Sequence, residues 1–310
     1  MCNINAPYFI NEDEARSYLE KQRWPDGPVC PHCGGVERVY PIQADEKKKI
    51  RKGLYQCNDC GEQFTVTVGT VFERSKVPLN KWLLATYLYC SSKKGFSAKQ
   101  LERTLGITYK TAWFMAHRIR EAMREGNPGM MGGGGKTVEV DETYWGGKKQ
   151  RKNKKARGYA HKEKVLTLVE RGGRARSFHV PSVNANTLIP IIKEQVHADT
   201  HMMTDEAGQY ITKNQPLKAS FVDHNYVSHG AGEYVRGNVH TNSIEGFFSI
   251  FKRGLNGVYQ HCSNQHLKRY LCEYDFRYNY REKLGYNDMD RTNIALKGIE
   301  GKRITYASPH

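Results

Sequence analysis

No stretch of this 310-residue chain approaches the roughly 20 consecutive apolar residues of a membrane-spanning helix, and its N-terminus lacks the basic-then-apolar order of a secretory signal. These two absences predict a cytoplasmic protein with no membrane partner. A disulfide framework is absent too. Of eight cysteines, four are paired as Cys30-Pro-His-Cys33 and Cys57-Asn-Asp-Cys60, while Cys2, Cys90, Cys262 and Cys272 are scattered. In a reducing compartment the paired set reads as metal ligands. Acidic residues are in deficit, 32 Asp and Glu against 48 Lys and Arg, which leaves a formal charge of +16 and a pI near 9.4. That balance favours an anionic partner, usually nucleic acid when Lys and Arg are dispersed, although it also suits an ordinary solvated surface. The length allows one large domain or two to three smaller ones, each able to bury a core.

Asn11 followed by Glu14 marks a helix start, and Pro25 ends that helix, so residues 1–27 form an N-terminal helical segment. The two Cys-x-x-Cys pairs follow, with 23 residues between Cys33 and Cys57 and with Gly34, Gly35 and Gly61 just beyond them. Flanked by strand-like Arg38–Tyr40, Leu54–Gln56 and Gln63–Val66, they predict a zinc ribbon over 28–75, with a basic insertion from Ala44 to Lys52. Four thiolates leave no open position, so the single Zn2+ held by Cys30, Cys33, Cys57 and Cys60 is expected to be structural.

Over 76–125 the apolar spacing predicts helices from Leu79 to about Lys93, from Ser97, and from Thr108 to about Arg124, the last pair joined by Leu105-Gly106-Ile107. This is the pattern of a helix-turn-helix, with Thr108, Tyr109, Lys110 and Thr111 presented to DNA, and also of a plain helical hairpin. His117 on the last helix reads as a DNA contact or, more commonly for such a residue, a plain surface histidine. The glycine-rich stretch 126–136 predicts a flexible linker.

Beyond it, Thr137–Asp141, Lys164–Val169, Ala175–Val180, His201–Asp205 and Ala219–Val222 read as strands and Ala185–Val196 as a helix. Successive side chains on a strand face opposite ways, so Asp141 and Glu142 are not expected to reach one site. From Asn242 to Leu255, Ile244, Phe247, Phe248, Phe251 and Leu255 make one helical stripe, and Asn242, Glu245, Ser249 and Lys252 another. Mixed strands, then helices, with acids at strand ends, predict a ribonuclease-H-like catalytic domain over 137–285, a sheet covered by helices. The chain is thus multidomain α+β, with 286–310 a tail. Asp141, Asp205 and Glu245 together are the donor set for two divalent ions, a site that cuts and joins phosphodiesters. Taken singly, each acid has another reading: Asp141 and Asp205 as turn residues replaceable by Glu206 or Asp223, and Glu245 as the closing residue of a capping box begun by Asn242. The run from Lys148 to Arg157 is the densest positive stretch, either a solvated loop or a DNA contact through Lys148, Lys149, Arg151, Lys152, Lys154 and Lys155. From Ser263 to Arg281 a packing helix is expected.

This order of motifs resembles the DDE transposases of bacterial insertion sequences, specifically the insertion sequence fifteen-ninety-five (ISXO-two-like) group. The likeness rests on His240–Gly254 above all, then on Val140–Tyr144, Thr204-Asp205, Phe276–Asn279 and the cysteine ribbon. The resemblance implies Asp141, Asp205 and Glu245 as the catalytic triad, with two Mg2+ (or Mn2+) ions, and Lys252 and Arg253 beside the DNA backbone. Asn242 is a secondary ligand candidate, because the group varies at its third acid. It further implies terminal inverted repeats and target DNA as partners, a homo-oligomer that holds two ends, and a bacterial, nucleoid-associated location. The competing reading is a zinc-ribbon and helix-turn-helix DNA-binding regulator with a catalytically inactive transposase-derived domain.

Overall fold

The computed structural model describes residues 4–146, 161–211 and 216–304. The chain divides into two compact units, one drawn from Met1–Arg124 and Tyr286–His310, the other Glu125–Gly285. The first begins with α1 (Pro7–Ile10) and α2 (Glu12–Arg23). The Asn11 side chain accepts hydrogen bonds from the amides of Asp13 and Glu14, and three acids in the first turn of α2 face the positive end of the helix dipole. Ala15 and Leu19 form the buried face. Next come β1 (Val39–Ile42), β2 (Leu54–Cys57) and β3 (Gln63–Phe64), an antiparallel sheet in which Val39 lies opposite Cys57. Trp24 closes over it, edge-on to Tyr55 and Phe64.

Three helices follow: α3 (Leu79–Ser91), α4 (Ala98–Leu105) and α5 (Tyr109–Ala122). Ser97 and Thr108 cap α4 and α5 through their side chains, and between the two Gly106 adopts φ 61°, a left-handed value that costs glycine least. Helix α5 buries Ala112, Met115 and Ile119, and Met123 just beyond it, the stripe that its spacing predicts. His117 departs from expectation. It is buried, its ring 4.2 Å from that of Trp113, because it lies on the inward face of α5 beside Ala116.

In the second unit, β4 (Thr137–Trp145), β5 (Glu163–Glu170) and β6 (Ala175–Val180) form an antiparallel meander; α6 (Ala185–Gln195) crosses to β7 (His201–Asp205), and β8 (Asp223–Val227) follows. The sheet order is β6-β5-β4-β7-β8, with β7 parallel to both β4 and β8. A small hairpin, β9 (Val235–Arg236) and β10 (Val239–His240), leads into α7 (Asn242–Gly254), and α8 (Leu267–Asn279) completes the unit. Alternation along the strands divides the core. Val138, Val140, Leu166 and Leu168 meet Leu188 and Ile192 of α6 on one face; Val165 and Val169 meet Ile244, Phe247, Phe248, Phe251 and Leu271 on the other. Each such side chain, fully buried, contributes about 1.5–3 kcal/mol, so α7 is held to the sheet by its apolar stripe.

Three segments differ from the sequence reading. The fifth strand is Asp223–Val227, not Ala219–Val222. At the sheet edge one side of β8 needs no apolar cover, so its His224, Asn225 and Tyr226 carry no hydrophobic signal, whereas the preceding Leu217 and Phe221 are drawn into the core outside any strand. The glycine-rich segment is pinned rather than loose. Gly132, Gly133, Gly134 and Gly135 all have left-handed φ, which turns the amides of Gly132 and Gly133 to Glu170 and Thr200, and a Cβ on Gly132 would lie 2.2 Å from Thr200 Oγ1. Within 286–310, read as a tail, Asp288–Lys297 forms α9, with an Asn287–Asp290 capping box, and packs on α3 and α2 of the first unit.

Candidate functional site

Two clusters of ligating side chains lie in the two units. In the first, the turn before β1 and the turn at the end of β2 bring Cys30, Cys33, Cys57 and Cys60 together. Their Sγ atoms all lie within 4.8 Å of one another, with Cys30 to Cys60 at 3.7 Å and Cys33 to Cys57 at 3.6 Å. A tetrahedron with Zn–S bonds of about 2.3 Å has edges of about 3.8 Å, so the donor set fits zinc. The amides of Cys60 and Asp59 hold the Cys57 thiol down to about 7, while burial and the neighbouring thiols push those of Cys60 and Cys33 up, so these thiols share their protons unevenly. With four protein ligands the site is closed and structural. Among the described residues it is the only group of three or more His, Cys, Asp or Glu packed this tightly.

The second cluster is assembled from distant segments. Strands β4 and β7 pair in parallel as far as Glu139 opposite Met203, and Asp141 and Asp205 follow two residues beyond on the two strands, where the charge of Asp205 raises the Asp141 carboxyl. Glu245 joins them from the first turn of α7. Burial pushes the Asp141 carboxyl up to about 8, and the negative charges of Asp205, Glu142 and Glu245 push the same way. Among its nearest groups only the Glu142 amide, which donates to Asp141 Oδ1 at 2.6 Å, pulls it down. Glu142 itself turns to the opposite face, as the strand period requires, and accepts from Gln209 Nε2 and the Tyr210 hydroxyl. Burial, with Asp205 adding, raises it to about 7 against those hydrogen bonds.

Glu245 is half exposed, and its Oε1 accepts from Thr241 Oγ1 at 3.0 Å and lies 3.8 Å from His229 Nε2. The capping-box alternative is not realised: Thr241 occupies the cap position, and no side chain of that box bonds the helix amides. Asn242 is exposed at the first helical position. The other acids considered are engaged elsewhere, Glu206 with Ser228 Oγ and Gly230 N, Asp223 with His201 at 2.9 Å. Lys252 is exposed two turns beyond Glu245, its ammonium 5.8 Å over the Phe248 ring, while Arg253 folds back on Ser249.

In the first unit Thr108, Tyr109 and Lys110 are exposed at the start of α5, Tyr109 by 49%, and Thr111 is partly covered, its amide donating to Thr108 Oγ1. Lys148, Lys149, Arg151, Lys152, Lys154 and Lys155 lie outside the described residues. Sequence reasoning missed Glu139, which is wholly buried against Arg171, His240 and the Ile244 amide. A signal was present: an acid between Val138 and Val140, two residues before Asp141, shares that residue's face.

The profile of the ISXO2-like transposase domain matches residues 131–279, and that of the transposase zinc-ribbon domain matches residues 10–63. An uncharacterised protein in the transposable element ISH50 of Halobacterium salinarum is 31% identical over 286 residues, 87% of this chain and 91% of that protein. An uncharacterised transposase-like protein of Haemophilus influenzae is 31% identical over 106 residues, 33% of this chain and 79% of its own. A chain in a cryo-EM structure of a simian T-cell lymphotropic virus intasome in complex with PP2A regulatory subunit B56 gamma matches with a TM-score of 0.28 and 13% identity, over 56% of this chain and 63% of that one, a likeness too loose to bear on the fold. With both domain profiles matched in order and a relative aligned along nearly its whole length, the chain belongs to the ISXO2-like transposase family.

Proposed function

We propose that this protein is an insertion-sequence transposase that binds the terminal inverted repeats of its element and catalyses divalent-metal-dependent DNA cleavage and strand transfer. The observation that carries the reading is the convergence of Asp141, Asp205 and Glu245, whose repulsion helps lift Asp141 to about 8. Like charges gathered at this cost are the mark of a site shaped for a missing positive charge. Its donors are all carboxylate oxygens, which suit Mg2+ or Mn2+ and not the softer metal of the cysteine site. The meander β4-β5-β6 followed by parallel β7 and β8 supports a ribonuclease-H-like domain.

Asp141, Asp205 and Glu245 are the residues that would hold the ions. When bound there, the ions would activate water or a DNA 3′-hydroxyl and stabilise the departing oxygen of an in-line displacement. The chain's own groups set up that step. Asp141 would hold cations as its ionised carboxylate, Thr241 orients Glu245 through its hydroxyl, and Lys252 offers an ammonium to a phosphate two turns along the same helix. The α4–α5 pair, read as a helix-turn-helix, presents Thr108, Tyr109, Lys110 and Thr111 to the repeat, and a homo-oligomer would hold two ends. The test is incubation with labelled repeat-ended DNA and Mg2+. A transposase frees the 3′ end and joins it to target DNA; binding without cutting, in a preparation with intact acids, would establish the regulator reading instead.

A further inference from the structure

Glu139 and Asp141 project from the same face of β4, yet Glu139 is 0% exposed and both of its carboxylate oxygens are taken. Oε1 accepts from Arg171 Nε at 2.6 Å and lies 3.4 Å from His240 Nδ1. Oε2 accepts from the Ile244 amide at 2.9 Å. That amide is one of the donors left without a partner inside the first turn of α7, where the helix dipole also favours a negative charge. No side chain at the cap position competes for it, since the Thr241 hydroxyl is turned to Glu245. Arg171 continues the network, donating to the carbonyls of Asn238 and His240, both at 2.7 Å, on the approach to α7.

The apolar stripe of α7 holds the helix against the sheet, but hydrophobic contact is non-directional and resists sliding along the helix axis weakly. A charged hydrogen bond from β4 to the third residue of α7 supplies the missing constraint at the end that carries Glu245. We propose that Glu139 is a positioning residue that sets the spacing of Asp141 and Glu245, and hence the affinity of the carboxylate site for divalent cations. This rests on the metal-dependent reading above. Glu139 is not itself a ligand in this account, because neither oxygen is free.

The full-length protein is the test material and Mn2+ the probe. Glu139→Asp withdraws the carboxylate by one methylene while keeping its charge, and calorimetry on the folded variant is expected to give about tenfold weaker Mn2+ binding, the lower end of what is lost when a group orienting metal ligands is changed. Cleavage should fall at low Mn2+ and recover as Mn2+ is raised, with repeat binding measured without added Mn2+ unchanged. If Glu139→Asp does not fold, Arg171→Lys, which keeps a cation but loses the forked donors, is expected to weaken Mn2+ binding in the same direction. Wild-type Mn2+ affinity in a folded variant, with only a lowered melting temperature, overturns the proposal. Asp141→Asn runs alongside: if it loses Mn2+ and Glu139→Asp does not, the positioning role alone fails, and if it binds and cleaves like wild type, the carboxylate reading fails.

Discussion

The two ligand clusters of this chain are built on opposite principles. The thiolate centre draws on two short turns of one small sheet, and its four sulfur atoms already stand at tetrahedral separation. The carboxylate centre draws on β4, β7 and α7, and burial, with repulsion from the neighbouring acids adding to it, pushes the Asp141 carboxyl up to about 8. A site whose ligands come from neighbouring turns can be complete as soon as those turns form. One whose groups come from distant elements needs other contacts to fix them, and Glu139 bonds Arg171 and the Ile244 amide while Thr241 bonds Glu245.

Deleting one ligand from each centre should therefore change stability in opposite directions. Cys57→Ser is expected to have the largest effect, since a structural zinc contributes on the order of 10–16 kcal/mol to the folding of a small domain. Zinc content and the far-ultraviolet dichroism of the ribbon should fall together; a variant that keeps its structure without zinc breaks the contrast. Asp141→Asn should lower cleavage by at least about a hundredfold, the scale of losing one preorganised electrostatic group, while raising the melting temperature of the cation-free protein at neutral pH, because a neutral Asn needs no proton to be buried there, whereas Asp141 must take one up on folding. A fall in that temperature would mean that the Asp141 carboxyl is not raised as described. Lys252→Ala is expected to act more weakly, reducing the salt dependence of DNA binding by about one phosphate contact in a titration against salt, without lowering stability.

The smallest effect should come from Asp275, an acid of the same unit outside either centre. Burial pushes its carboxyl up to about 7 although Ser177 donates two hydrogen bonds to it. A raised value means that the folded state holds a proton which the unfolded chain has released, so this contribution is complete below about 4 and is lost as pH rises through about 7. Asp275→Asn, a fixed mimic of the protonated acid, should match wild type near pH 4 and melt progressively higher than wild type toward pH 8. Parallel melting curves across that range would refute the assignment.

Legibility in the sequence followed the range of the interactions. The cysteine pairs, the caps at Asn11, Ser97 and Thr108 and the stripes of α5 and α7 are local patterns, and each is realised. Strand β8 was misread because an edge strand with one open side carries no apolar alternation, and the glycine segment because its acceptors, Glu170 and Thr200, lie 38 and 67 residues away. For Glu245 taken alone, sequence spacing favours a capping box; the box does not form because Thr241 occupies the cap position and Glu139 takes the Ile244 amide.

By itself, then, the sequence determined the chain's positive charge, the thiolate ligand set, the helix faces and the family motifs, all of which depend on residue type and short spacing. Tertiary structure decided which acids meet, which are buried and which are neutralised. Parallel pairing of β4 with β7 and the Glu139 bond to Ile244, 105 residues away, are long-range choices, and the charge state of a buried acid is set by such neighbours and not by its own segment of chain.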